Sequence, residues 1–125
     1  MSQINIAQTT HTPEVFLDSD NGVFCIKGKS FPENTENFYT PLIEAIETFD
    51  LNSVDKFECK IAIDYLSSSS TISLLKVIKA FVKKIGKDRI HIIWEHEEAD
   101  EDLRKIGEDF SSILDISFEF VTTED

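Results

Sequence analysis

Between Phe57 and Ile63 every second residue is apolar or a thiol. Phe57, Cys59, Ile61 and Ile63 fall on one side, against Glu58, Lys60 and Asp64 on the other. Side chains of a strand point alternately to opposite faces, so this period of two predicts a half-buried strand. Within a few residues the period changes. From about Ser70 to Lys84 the apolar positions, from Ile72 through Leu74, Leu75, Val77 and Ile78 to Phe81, follow helical spacing over a wide sector, and Lys76, Lys79, Lys83 and Lys84 supply a solvated stripe. Gly86 fits a C-terminal stop, and the lysines before it suit the negative end of the helix. A strand that passes directly into a buried helix restricts the chain to folds in which sheet and helices alternate.

The flanking sequence repeats the alternation. "EVFLD" (Glu14–Asp18) and "GVFCIKG" (Gly22–Gly28) read as two strands joined through Asn21-Gly22, a pair that favours the positive φ of a hairpin turn. Ser30 and Glu33 stand at capping-box spacing ahead of a helix carrying Phe38, Leu42, Ile43, Ile46 and Phe49. Pro41 lies within that pattern; a short turn ending at Thr40, with Pro41 opening the main helix, is the preferred reading. "RIHIIWEH" is a further strand and "EEADEDLRKIGEDFSSIL" a helix with acidic first turns. "DISFEFVT" closes the sheet, alternating Ile116, Phe118 and Phe120 against Ser117 and Glu119. The expectation is one α/β domain over residues 1–125, in the order β-β-α-β-α-β-α-β. It has a mixed sheet of about five strands, right-handed crossovers, an extended polar arm over 1–12 and a frayed tail over 122–125.

Several functions are disfavoured. The formal net charge of −12 opposes direct contact with nucleic acid or an anionic membrane. No apolar run approaches the roughly 18 residues of a spanning helix, and the N-terminal stretch has neither the basic nor the apolar region of a secretory leader. A cytoplasmic protein is expected, with Cys25 and Cys59 as buried thiols in a reducing compartment. His91 and Glu95 would share one face of a strand and His96 the other, which splits the only plausible metal ligands, so no metal is expected. Gly22, Gly28, Gly86 and Gly107 form no phosphate-cradling pattern, and the acidic run near Glu98 lacks the ligand alternation of a calcium loop. No serine sits in a nucleophile elbow, and His11, His91 and His96 offer no evident base for one. No cofactor and no catalytic residue is expected.

The junction itself is unusual. Ser67, Ser68, Ser69, Ser70 and Thr71 place five consecutive hydroxyls between the alternating strand and the helix. One suffices for an N-cap. A plain cap with a local composition bias is one reading of the surplus. A phosphorylation switch is another, because unpaired amides and the positive dipole end would favour a phosphate of charge about −1.5 to −2 there.

Two motifs resemble the SiaC-type bacterial regulatory phosphoproteins. One is Gly28-Lys29-Ser30-Phe31-Pro32-Glu33-Asn34, similar to that family's glycine, serine, aromatic, proline, glutamate, asparagine signature. The other is Tyr65-Leu66-Ser67-Ser68-Ser69-Ser70, followed by Leu74 and Leu75. Thr12-Pro13 and the strand with Trp94 also fit. The sequence departs from the family pattern where Ser67 replaces the usual asparagine and Ser68 the usual threonine. The resemblance implies a fold like that of the sulfate-transporter and anti-sigma-antagonist (STAS) domain. It implies that Ser68 is the phosphorylated residue, with Ser69 and Ser70 as alternatives. It also implies partner switching: an anti-sigma-type Ser/Thr kinase and a PP2C-like phosphatase set the state, and the unmodified form binds an output protein, in some family systems a diguanylate cyclase. Phe31, Pro32, Glu33, Asn34, Tyr65, Ser67, Ser69, Ser70 and Thr71 are the expected partner-facing residues. The rival reading is a small-molecule-binding or enzymatic α/β domain with a pocket near the Ser67–Thr71 loop.

Overall fold

A computed structural model describes residues 3–123. The elements run β1 (Gln3–Ile6), β2 (Glu14–Asp18), β3 (Val23–Ser30), α1 (Thr35–Thr48), β4 (Phe57–Leu66), α2 (Ser68–Ile85), β5 (Ile90–Glu97), α3 (Glu101–Leu114) and β6 (Glu119–Thr123). All six strands join one sheet in chain order. β1, β2 and β3 are antiparallel neighbours, and β3 through β6 are parallel. Each parallel step moves the same way across the sheet, so right-handed crossovers bring all three helices to one face. The buried residues agree. Phe24 and Ile26 of β3, Phe57, Cys59, Ile61 and Ile63 of β4, and Ile92 and Trp94 of β5 all point under the helices. The opposite face carries ion pairs between Glu14 and Lys27 and between Lys60 and Glu95, and a contact of His91 Nε2 with the Glu119 carboxylate at 2.8 Å. One covered face and one open face is what gave β4 its clean alternation.

The mixed sheet and the three alternating helices are as the sequence predicts, with one strand more. Part of the expected arm is strand β1, where Ile4 and Ile6 pair opposite Leu17 and Val15. Thr9 then folds the arm into a turn by accepting from the amides of His11 and Thr12. At the other end Thr122 and Thr123 are not frayed but pair with His96 and Glu97 in β6; residues 1, 2, 124 and 125 lie outside the described residues.

Three local expectations are corrected. β3 does not close at Gly28 but continues to Ser30 through an irregularity at Gly28/Lys29, where Gly28 adopts φ 113°. Ser30 therefore belongs to a strand and is no N-cap. Asn34 caps α1 instead, accepting from the amide of Asn37 at 3.0 Å. Pro41 does not open the helix but sits inside it. The carbonyl left without its donor is that of exposed Asn37, which water can reach, while Tyr39 before the proline and Leu42 and Ile46 after it are buried in one core. α1 has no basic residue in its last turn, and Lys84 of α2 replaces one by donating to the carbonyls of Ile46 and Glu47. The β2–β3 turn is held by Asp18, which accepts from the amides of Asp20 and Asn21 and from the Asn21 side chain; these bonds, the last foremost, hold its carboxyl below the usual range. Cys59 is buried, and burial raises its thiol pKa, whereas Cys25 is half-buried on the open face.

Candidate functional site

The serine run lies where β4 leaves the sheet and α2 begins. The four serines are chemically identical, but the fold gives each a different environment. Ser67 is the N-cap: its hydroxyl accepts from the amide of Ser70 at 3.2 Å, and its own amide donates to the Ser30 carbonyl at 3.0 Å. Ser68 is the first helical residue. It is exposed, and no hydrogen bond of its hydroxyl is found among the described residues. Ser69 is exposed too, but its hydroxyl lies 2.8 Å from Thr35 Oγ1 on the first turn of α1. Ser70 turns inward and is fully buried. Its hydroxyl accepts from Ser30 Oγ at 3.0 Å, and Ser30 in turn lies 2.6 Å from the Tyr39 hydroxyl, whose pKa burial raises. Thr71 donates back to the Ser67 carbonyl. Ser70 was expected among the partner-facing hydroxyls and as an alternative acceptor. It does not reach the surface, because α2 winds its third residue toward the core.

The first motif packs beside the second. Phe31 is half-buried and stands edge-on to Tyr65, with ring centroids 5.5 Å apart; its other side meets His11 at 4.8 Å. The Phe31 amide donates to the His11 carbonyl, which ties the N-terminal turn to this end of the sheet. Pro32 is half-buried, and Glu33 and Asn34 are exposed. Tyr65 and Ile72 are two of the large apolar residues the fold leaves outside, at 53% and 60% exposure. Tyr65 precedes Ser68 by three residues, and Ile72 follows it by four, one turn along the same face of α2. Tyr65 and Asp64 border a depression shared with Leu103 and Ile106 of α3. Ile72 borders another, open and of about 470 Å³, with Glu33, Thr35, Glu36, Ser69 and Lys76.

The amides of Ser68 and Ser69 have no intrahelical acceptor, since only the N-cap and N3 positions of this first turn are satisfied by Ser30 and Ser67. The positive end of an 18-residue helix thus underlies the one unengaged hydroxyl of the run. Sequence reasoning singled out the serines, Tyr65 and the Phe31–Asn34 segment, and the structure brings them to one end of the sheet. It missed Thr35, Ile72, Ser30 and Tyr39. Ile72 carried a signal: the helical pattern counts it with the apolar positions, yet Lys76 and Lys79 follow it by four and seven residues, which puts it in line with the solvated stripe. The Ser30–Tyr39–Ser70 contact joins three elements and has no local signature.

Among the described residues no group of three or more His, Cys, Asp or Glu side chains is arranged to hold a metal ion, and no helix is long and apolar enough to cross a membrane. The family profile of SiaC regulatory phosphoproteins matches residues 6–123.

The chain belongs to the SiaC family.

It is therefore a regulatory protein rather than an enzyme. An uncharacterized protein of Pseudomonas aeruginosa (strain UCBPP-PA14) is 25% identical over 121 residues, covering 96% of this chain and 94% of that one. SiaC of Pseudomonas aeruginosa has the same fold, with a TM-score of 0.78 at 24% identity over 100% of both chains. Its apo crystal structure gives 0.79 at 23% identity, over 98% of this chain and 99% of that one. The same values of coverage and identity, with a TM-score of 0.78, hold for SiaC in a crystal structure where it is bound, as activator, to the diguanylate cyclase SiaD.

Proposed function

We propose that this SiaC-family protein is a phosphorylation-controlled partner switch of the cytoplasm, with Ser68 as its phosphoacceptor. An anti-sigma-type Ser/Thr kinase adds the phosphoryl group and a PP2C-like phosphatase removes it. The unphosphorylated form binds an output protein through Phe31–Asn34, Tyr65 and the start of α2. A diguanylate cyclase is the output favoured by the activator complex of the Pseudomonas aeruginosa relative.

The observation that carries this reading is the environment of Ser68: exposed, unengaged, at the first position of α2, with exposed Tyr65 three residues before it and exposed Ile72 one helical turn after it. Helix amides favour the phosphate itself. The apolar pair favours a partner only while it stays dry. A dianion at Ser68 keeps water at these side chains and adds charge close to Glu33 and Glu36, which border the same depression as Ser69 and Ile72, so modification weakens an apolar interface. The test is intact-mass analysis after incubation with ATP and an anti-sigma-type kinase, followed by titration against the cyclase. One phosphate should be gained by the wild type and none by Ser68→Ala, and the phosphorylated form should bind at least tenfold more weakly. Undiminished labelling of Ser68→Ala, or equal dissociation constants for the two forms, rejects the proposal.

A further inference from the structure

Four adjacent serines raise a problem of selection. A kinase that reads only local sequence would meet nearly the same peptide at Ser68 and at Ser69, and both residues are exposed on the first turn of α2. The two hydroxyls differ in one respect. Ser69 Oγ lies 2.8 Å from Thr35 Oγ1, whereas no partner of Ser68 Oγ is found among the described residues. We propose that Thr35 selects the phosphorylation site: its hydroxyl, on the neighbouring helix α1, holds Ser69 out of reaction and leaves Ser68 as the only competent acceptor. This rests on the reading of Ser68 given above.

The chemistry makes such a contact decisive. In phosphoryl transfer an Oγ lone pair forms the new O–P bond to the γ-phosphorus of ATP. The bond from that phosphorus to the bridging oxygen breaks, its electron pair leaves on ADP, and the hydroxyl proton passes to a base of the kinase. Whether Ser69 accepts from Thr35, which occupies a lone pair, or donates to it, which directs the proton away, the bond must break before the oxygen can enter line. The geometry is also positional. Thr35 and Ser69 sit on the first turns of two helices that pack together, so the contact aims Ser69 at α1 instead of outward. Ser67 and Ser70 need no such control, the first being engaged as N-cap and the second buried.

The experiment compares wild type, Thr35→Val and Thr35→Ser, each labelled with ATP and an anti-sigma-type kinase and mapped by fragment-ion mass spectrometry. Valine keeps the branched shape and removes the hydroxyl. The expected result is phosphate on Ser68 alone in the wild type, a gain of at least fivefold in the Ser69 share in Thr35→Val, and a return to Ser68 in Thr35→Ser. Unfolding midpoints within error of one another would separate selection from loosening of the fold. Exclusive Ser68 labelling of all three proteins overturns the role of Thr35 and leaves the Ser68 switch standing. Labelling of wild-type Ser69, or no labelling of the wild type at all, overturns both.

Discussion

Ser68 and Ser70 are two residues apart, and a negative charge has opposite consequences at each. At Ser68 a carboxylate would be solvated and would sit by the unpaired amides of the first turn of α2, where helix ends favour anions by roughly 0.3–1 kcal/mol. At Ser70 it would enter a closed space bounded by the hydroxyls of Ser30 and Tyr39, with no cation among them. Leaving a buried charge unpaired costs about 3–5 kcal/mol. Ser68→Asp should therefore hold or slightly raise the urea midpoint, while Ser70→Asp should lower stability by at least about 3 kcal/mol. Equal unfolding curves for the two variants would mean that Ser70 is not the buried member of the run. A carboxylate has less charge than a phosphate, so the comparison underestimates what modification of Ser70 would do. The inward serine thus works as structure, and its hydroxyl contact with Ser30 and Tyr39 fixes the register in which its neighbours emerge. None of this is legible in "SSSST", because the difference between the residues is made by helical geometry and by two elements far away in the chain.

Elements whose character depends on their own periodicity were readable, and those that depend on a neighbour were not. β4 alternates because one face of the sheet is covered and the other open, and α2 shows its buried sector because it lies in the middle of the helical layer. β1 has four residues, QINI, and is a strand only because β2 offers it an edge. α1 reads as broken at Pro41, yet the core contacts of both halves keep it whole. α3 shows how close the packing between layers is. Gly107 faces the indole of Trp94, and a Cβ placed there would lie 2.7 Å from the ring nitrogen, which itself donates to the Leu103 carbonyl at 3.0 Å. The glycine lets the helix approach the sheet closely enough for that bond. In an isolated helix Gly→Ala would stabilise by up to about 1 kcal/mol. Here the indole must move and strain its hydrogen bond, so Gly107→Ala should destabilise by about 1–3 kcal/mol, the usual cost of overpacking a core. The measurements are a denaturation curve and Trp94 fluorescence, Trp94 being the sole tryptophan. An unchanged emission maximum with equal or greater stability would show that α3 stands off the sheet more than the contacts indicate.

At the scale of the whole molecule the net charge of −12 argues against overall charge as the means by which the proposed switch works. Phosphate adds about −1.5 to −2, a small increment to a surface that already repels anions, and charges more than about 8 Å apart are largely screened at physiological ionic strength. The effect of the proposed modification would then be local, and the exposed large apolar side chains nearest Ser68 in the chain are Tyr65 and Ile72. Both are exposed, so neither is needed for folding, and exposed substitutions away from special contacts usually stay within about 0.5 kcal/mol. An interface, by contrast, concentrates its affinity in a few desolvated aromatic and aliphatic side chains, whose truncation costs about 2 kcal/mol or more. Tyr65→Ser combined with Ile72→Ser should leave the unfolding midpoint nearly unchanged, apart from the edge contact of Tyr65 with Phe31, and should weaken the unphosphorylated protein's binding to the proposed cyclase partner by more than tenfold. Phosphorylation of this double variant should then change its affinity far less than it changes the wild type, since the patch it acts through is gone. Calorimetric titration of the four species gives that coupling directly. Additive effects of the double substitution and of the phosphate would place the partner on another face of the molecule.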